Sequence, residues 1–146
     1  MDKTDQILYI ISSLRKEAYS FIESKFEHND VKGLSYTHGA ILYALYGNNG
    51  AMRLSDIAKI INRKKPTVTV LVDKLETMKL VKKKKSKDDS RAILVSITEK
   101  GIKLKSLFNA ISSDLKSCAF EGISQKDQEH LVDLLVKIER NFTKAK

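Results

Sequence analysis

The chain has 146 residues, 42% of them hydrophobic and 31% charged, and 27 Lys or Arg against 18 Asp or Glu leave a net charge of +9. That length and composition support one ordinary domain, or a small domain plus a shared interface, and exclude a disordered polymer. No apolar run approaches the ~18 residues of a bilayer-spanning helix, and the start of the chain lacks the basic region and cleavage site of a secretory signal, so a cytoplasmic location is expected.

From about residue 4 to residue 28, Ile7, Ile10, Ile11, Leu14, Ala18, Phe21, Ile22 and Phe26 recur at the spacing of an amphipathic helix. Asn29, Asp30 and Gly33 break it, and Ser35 offers an N-cap to a second helix through Ile41, Leu42 and Leu45. Gly47-Asn48-Asn49-Gly50 reads as a turn rich in residues that tolerate positive φ. A short extended piece, Ala51 to Leu54, leads to Ser55, expected to cap a helix whose inner face is Ile57, Ala58, Ile60 and Ile61. Asn62 can close that helix in the left-handed region. The next one starts near Lys65 or Pro66, since Pro suits a first helical turn. Two short helices around a turn of about four residues are the helix-turn-helix pattern.

Val81 to Lys85, a polar tip Ser86 to Ser90, and a strand from Ala92 to Ile97 predict a β-hairpin. Thr98 opens a further helix carrying Ile102, Leu107, Phe108, Ile111 and Leu115, and Ser124 with Asp127 opens the last, through Leu131, Leu134, Leu135, Ile138 and Phe142. The lone cysteine, Cys118, follows Ile111 and Leu115 at helical spacing, which predicts a small buried hydrophobe more than a redox-sensing thiol. His28, His38 and His130 are scattered without ligand spacing, so neither a metal nor a cofactor is expected. The fold class is therefore mainly α with a small β-hairpin, an α+β chain: a winged helix-turn-helix lobe at 32–98 and a helical region from 1–31 and 99–146. The terminal helices carry more apolar face than the small middle lobe covers, which predicts pairing with a second copy.

Between Arg63 and Arg91 stand eleven Lys or Arg and four Asp or Glu, so +7 of the net +9 lies in that stretch. Such a field attracts polyanions, and phosphate backbones are the commonest. In the helix after Pro66, Val68, Leu71, Val72 and Leu75 form the buried stripe, leaving Lys64, Lys65, Thr67, Thr69, Val70 and Lys74 nearer solvent. The first residues of such a helix meet base edges, and threonine brings a hydroxyl and a methyl to them. Lys82, Lys83, Lys84, Lys85 and Lys87 put like charges on both faces of one strand, which is better explained by a phosphate ladder than by protection of an open edge. Arg91 is placed to enter a minor groove, and Asp88 and Asp89 to hold the turn and orient it. No phosphate-cradling Gly loop, nucleophile elbow or paired-His helix is present, which argues against an enzyme.

Leu54-Ser55-Asp56-Ile57-Ala58-Lys59-Ile60-Ile61, Lys65-Pro66-Thr67-Val68-Thr69-Val70-Leu71-Val72-Asp73-Lys74-Leu75-Glu76, Asp88-Asp89-Ser90-Arg91-Ala92 and Val95-Ser96-Ile97-Thr98-Glu99-Lys100-Gly101 together resemble the MarR/SlyA family of transcription regulators. The resemblance implies a homodimer whose winged lobes grip successive major grooves of a pseudo-palindromic operator. It also implies repression relieved by a small, often phenolic or anionic, ligand. It places base reading on Lys64, Lys65, Thr67 and Thr69 and the wing-tip pair on Asp89 and Arg91. With Lys74, Lys82, Lys84 and Lys87 these make the candidate DNA-contact set. Candidate effector-pocket walls are Tyr9, Tyr19, His38, Tyr43 and Tyr46. Three positions depart from the family pattern: Lys64 replaces a small cap, Ser90 replaces an arginine, and Lys79 stands where a Gly usually closes the reading helix. The competing expectation is a winged-helix protein-interaction module or nonspecific DNA binder without ligand control.

Overall fold

A computed structural model describes residues 2–146. After a 3-10 turn, Lys3–Gln6, the elements in chain order are α1 (Ile7–His28), α2 (Tyr36–Tyr46), β1 (Ala51–Arg53), α3 (Leu54–Ile61), α4 (Lys65–Thr77), β2 (Val81–Lys85), β3 (Ile93–Ile97), α5 (Glu99–Lys103), α6 (Lys105–Ala119) and α7 (Gln125–Lys144). They fall into two compact units, one ending at Ser112 and the other Ser113–Lys146. No helix among the described residues is long and apolar enough to cross a membrane.

The first unit is built around one apolar core. Ile41, Leu42 and Leu45 of α2, Ile57 of α3, Val68, Val72 and Leu75 of α4, and Val81 and Val95 of the sheet are fully buried there. Phe26, near the end of α1, tilts against Phe108 of α6 at 5.1 Å between ring centroids, and the Tyr46 ring meets Phe108 edge-on at 5.7 Å. Tyr46 also donates from its hydroxyl to the Gly101 carbonyl at 2.5 Å, and burial pushes its phenol up to about 12. Leu80 caps this core beside Val81.

Local chemistry explains most element ends. The Ser35 hydroxyl accepts from the His38 N–H and the His38 ring accepts from the Ser35 N–H, a reciprocal box at the start of α2. Asn62 closes α3 at φ 53°, and Thr98 and Ser124 accept from the Gly101 and Asp127 N–H groups at the starts of α5 and α7. Lys79 takes the left-handed conformation at φ 61°, and its carbonyl accepts from the Thr98 hydroxyl at 2.7 Å. A lysine thus stays where Gly would be easier, held by the chain that follows the wing.

Four expectations are corrected. Helix α3 starts at Leu54, with extended Arg53 in the capping position and no side-chain cap, so Ser55 lies inside the helix. Ile60 points outward while Leu54 is buried. The helix expected after Thr98 is interrupted at Leu104, giving α5 and α6. Cys118 is exposed, because the buried face of α6 stops at Ile111.

The hairpin is part of a three-stranded antiparallel sheet in the order β1-β3-β2. Arg53 of β1, Leu94 of β3 and Lys84 of β2 stand in one row, and Met52, Val95 and Lys83 in the next. Side chains alternate across a strand, and Met52 and Val95 are buried. Lys83 therefore leaves the sheet on its core side, Lys82 and Lys84 on its outer side.

Candidate nucleic-acid interface

Helix α4 begins without a side-chain cap. Lys64 is extended in the capping position and Pro66 sits in the first turn, where its missing N–H costs nothing. The buried stripe Val68, Val72 and Leu75 fixes the rotation of α4, which leaves Lys64, Lys65, Thr67, Val70, Asp73 and Lys74 exposed and Thr69 half-buried. The Thr69 hydroxyl donates to the Lys65 carbonyl at 3.0 Å, which leaves its oxygen free to accept.

At the wing tip, the Asp89 carboxylate accepts from the Arg91 backbone N–H at 3.0 Å, and the Asp89 carbonyl from the Ala92 N–H at 3.0 Å. Asp89 thus shapes the turn that carries Arg91. The turn brings Asp89 and Arg91 to a cleft of about 440 Å³ shared with Lys65, Pro66 and Thr69 of α4 and with Arg53, Leu54 and Ser55. One concave surface therefore holds the start of α4, the wing tip and three cationic side chains, Arg53, Lys65 and Arg91. Sequence reasoning did not single out Arg53; its only signal is a position at the end of a three-residue strand that no local pattern marks.

The other candidates lie outside this cleft. Lys64 and Thr67 are exposed beside it on α4, Lys82 and Lys84 project from the outer sheet face, and Lys87 is exposed on the tip. Lys74 turns the other way: its ammonium lies 3.4 Å from where a Cβ would stand on Gly33.

Of the residues considered as effector-pocket walls, Tyr9 and Tyr43 are exposed and Tyr46 is committed to the core. Tyr19 stacks on Tyr36 at 3.8 Å, and the Glu23 carboxylate accepts from the Tyr36 N–H at 3.1 Å. Tyr9, Arg15, Lys16, Tyr19 and Glu23 line an open groove of about 720 Å³ along α1.

His38 is buried, and burial first, then the Lys74 charge, holds its imidazole below the ordinary 6.5, with Glu23 opposing. A folded value below the unfolded one means that the unfolded chain takes up protons first. The stability this neutral ring provides is complete above pH 6.5 and is lost as pH falls through the lowered folded value. His38→Gln keeps an acceptor at the same helical position, so urea midpoints taken between about pH 7.5 and pH 5 should fall less steeply for this variant than for the wild type.

Residues 24–107 match the family described as Transcriptional regulator SarA/Rot. The fold is similar to that of S. aureus MepR in a DNA complex, at 27% identity over 91% of this chain and 96% of that one, with a TM-score of 0.82. A MarR protein from Peptoclostridium difficile aligns at 21% identity over 100% and 97% of the two chains, with a TM-score of 0.85. Bordetella bronchiseptica BpsR, whose DNA binding is regulated by 6-hydroxynicotinic acid, aligns at 20% identity over 95% and 96%, with a TM-score of 0.81.

Proposed function

Because this chain belongs to the SarA/Rot family of DNA-binding transcriptional regulators, we propose that it acts as a homodimer that grips a pseudo-palindromic operator, represses nearby genes and releases them on binding a small effector. The family is one of regulators and not of enzymes. The observation that carries the reading is the cleft in which Lys65 and Thr69 of α4 meet Arg91 of the wing. In this reading the first turn of α4, with Lys64, Lys65, Thr67 and Thr69, enters a major groove; Arg53, Lys82, Lys84 and Lys87 meet phosphates, and Arg91 reaches the adjoining minor groove. Lys74 contributes field more than contact, given its position near Gly33.

Pairing is supported by apolar surface that one chain leaves open. Leu8, Tyr9, Ile10 and Leu14 of α1 and Leu131, Val132, Leu134 and Phe142 of α7 are exposed, and α7 buries no residue at all. Soluble monomers rarely leave an apolar helix face open to water in this way. We assign residues 1–31 and 99–146 to the pairing region and 32–98 to the DNA-binding lobe. Sedimentation should return twice the 16.5 kDa chain mass. Relief by a phenolic or anionic effector is supported by the groove along α1, where aromatic rings of Tyr9 and Tyr19 adjoin the cations Arg15 and Lys16. It is tested by titrating hydroxylated aromatic acids into the preformed DNA complex.

Selection of bound fragments from random DNA tests the whole reading, since a regulator should prefer its site over random sequence by roughly a thousandfold. With the recovered duplex in hand, Arg91→Ala is expected to weaken binding and flatten the preference for A·T-rich flanks. Thr69→Val should change the recovered sequence while leaving nonspecific affinity within about twofold. Unchanged recovered sequences for both variants would remove the wing and the helix start from the interface.

A further inference from the structure

Lys83 sits in the middle of a lysine run, yet its ammonium is engaged by carboxylates of the same chain. It shares its sheet row with buried Met52 and Val95, so its side chain leaves β2 toward α4. There its Nζ donates to the Asp73 carboxylate and lies 3.8 Å from the Glu76 Oε1, while its backbone N–H donates to the Glu76 Oε2 at 2.9 Å. Asp73 and Glu76 are three residues apart, hence neighbours on one helical face. Strand β2 is an edge of the sheet, and an edge N–H that points away from its partner strand is normally left to water. Here a helix carboxylate takes it. The Lys83 side chain is 26% exposed, and the hydrogen bond to Asp73 raises its pKa above the ordinary lysine value.

We propose that Asp73, Glu76 and Lys83 form a clamp that sets the wing at a fixed angle to α4, so that Lys83 is a positioning residue for operator reading and not a phosphate ligand. The inference rests on the DNA contacts proposed above. It resolves an electrostatic oddity: two carboxylates stand on the exposed side of the reading helix, where charge alone would repel DNA. With the clamp, they hold the hairpin whose Lys82 and Lys84 face outward. The angle between wing and helix decides whether Arg91 reaches its groove while Thr67 and Thr69 sit in theirs, so loosening it lowers specific binding more than nonspecific binding.

Opposite signs separate the two roles. Asp73→Asn removes a negative charge near DNA; simple electrostatics makes it bind tighter, whereas loss of the clamp makes it bind the operator more weakly. Wild type, Asp73→Asn, Glu76→Gln, Lys83→Gln and the reversed pair D73K with K83D are titrated by fluorescence anisotropy against the recovered duplex and a scrambled one, at several salt concentrations. Asp73→Asn and Lys83→Gln are expected to weaken the recovered duplex by about fivefold, and the reversed pair to restore most of that loss. Asp73→Asn should bind the scrambled duplex at least as tightly as wild type, and Lys83→Gln should keep the wild-type salt slope. Tighter or unchanged operator binding by Asp73→Asn, or a slope lowered by about one in Lys83→Gln, overturns the clamp. Glu76→Gln and the reversed pair decide the matter if a single variant folds poorly by circular dichroism. A wild-type chain that recovers no preferred duplex defeats the operator reading and the clamp together; a recovered duplex indifferent to Asp73→Asn defeats the clamp alone.

Discussion

Gly101→Ala is expected to destabilise the first unit by about 2 to 3 kcal/mol, seen as a lower urea midpoint with an unchanged m-value. Two effects oppose each other at this site. Ala is the better helix former by about 1 kcal/mol, and Gly101 lies within α5. Against that, a Cβ there would stand 2.5 Å from the Leu80 carbonyl oxygen and 2.6 Å from the Ile97 Cγ1. Leu80 is buried, and its carbonyl already accepts from the Thr98 N–H at 3.0 Å, so it has no open direction in which to move. The helix would have to lift from the base of the wing, pulling on the Tyr46 hydroxyl that donates to the Gly101 carbonyl. Overlap with fixed backbone costs more than the propensity returns. Gly122 provides the contrast: it adopts φ 73° with no atom near its missing Cβ, so Gly122→Ala carries left-handed strain of about 1 kcal/mol and no clash. Equal losses at the two glycines would show that close packing at Gly101 is soft.

What the sequence discloses here divides by the range of the interaction. The starts of α2, α5 and α7 and the end of α3 are legible because Ser35, Thr98, Ser124 and Asn62 act on backbone groups within a few residues. The start of α3 is not, because Leu54 is drawn into the core and the helix begins ahead of the serine that would cap it. Counting Leu54 as strand also misplaces the inner face. With about 100° per residue, Leu54, Ile57, Ala58 and Ile61 span one arc, and Ile60 falls about 60° outside it. The third strand depends on Met52 finding Val95, more than forty residues away, and no local pattern encodes that pairing. At the interface, the run of lysines reads as one uniform charge until strand alternation is applied to it. Period two separates Lys82 and Lys84 from Lys83, and the i, i+3 acids on α4 supply the partner for the odd one. Arg53 stays hidden because only the sheet row and the cleft bring it beside the wing.

Neutralising Lys82, Lys84 and Lys87 together, each to Gln, is expected to weaken binding of the recovered duplex by several hundredfold at about 0.1 M salt and to lower the log–log salt slope by about 2.7. Each phosphate contact contributes a slope of about 0.9, so three lost contacts at 0.1 M amount to about 2.7 decades. These three lysines are suited to the test because they are exposed, their side chains hold no hydrogen bond or ion pair among the described residues, and Lys82 and Lys84 project from the outer face of an edge strand. Removing like charges from one strand also relieves their mutual repulsion, so the variant should be no less stable than wild type. Affinity and stability then move in opposite directions, which no unfolding artefact reproduces. A slope lowered by less than one would place the outer sheet face away from DNA and leave the cleft of Lys65, Thr69 and Arg91 to account for binding alone. The same titration run on the scrambled duplex separates register from charge. Phosphate contacts serve both duplexes, so the two affinities should fall in parallel and the ratio between them should survive.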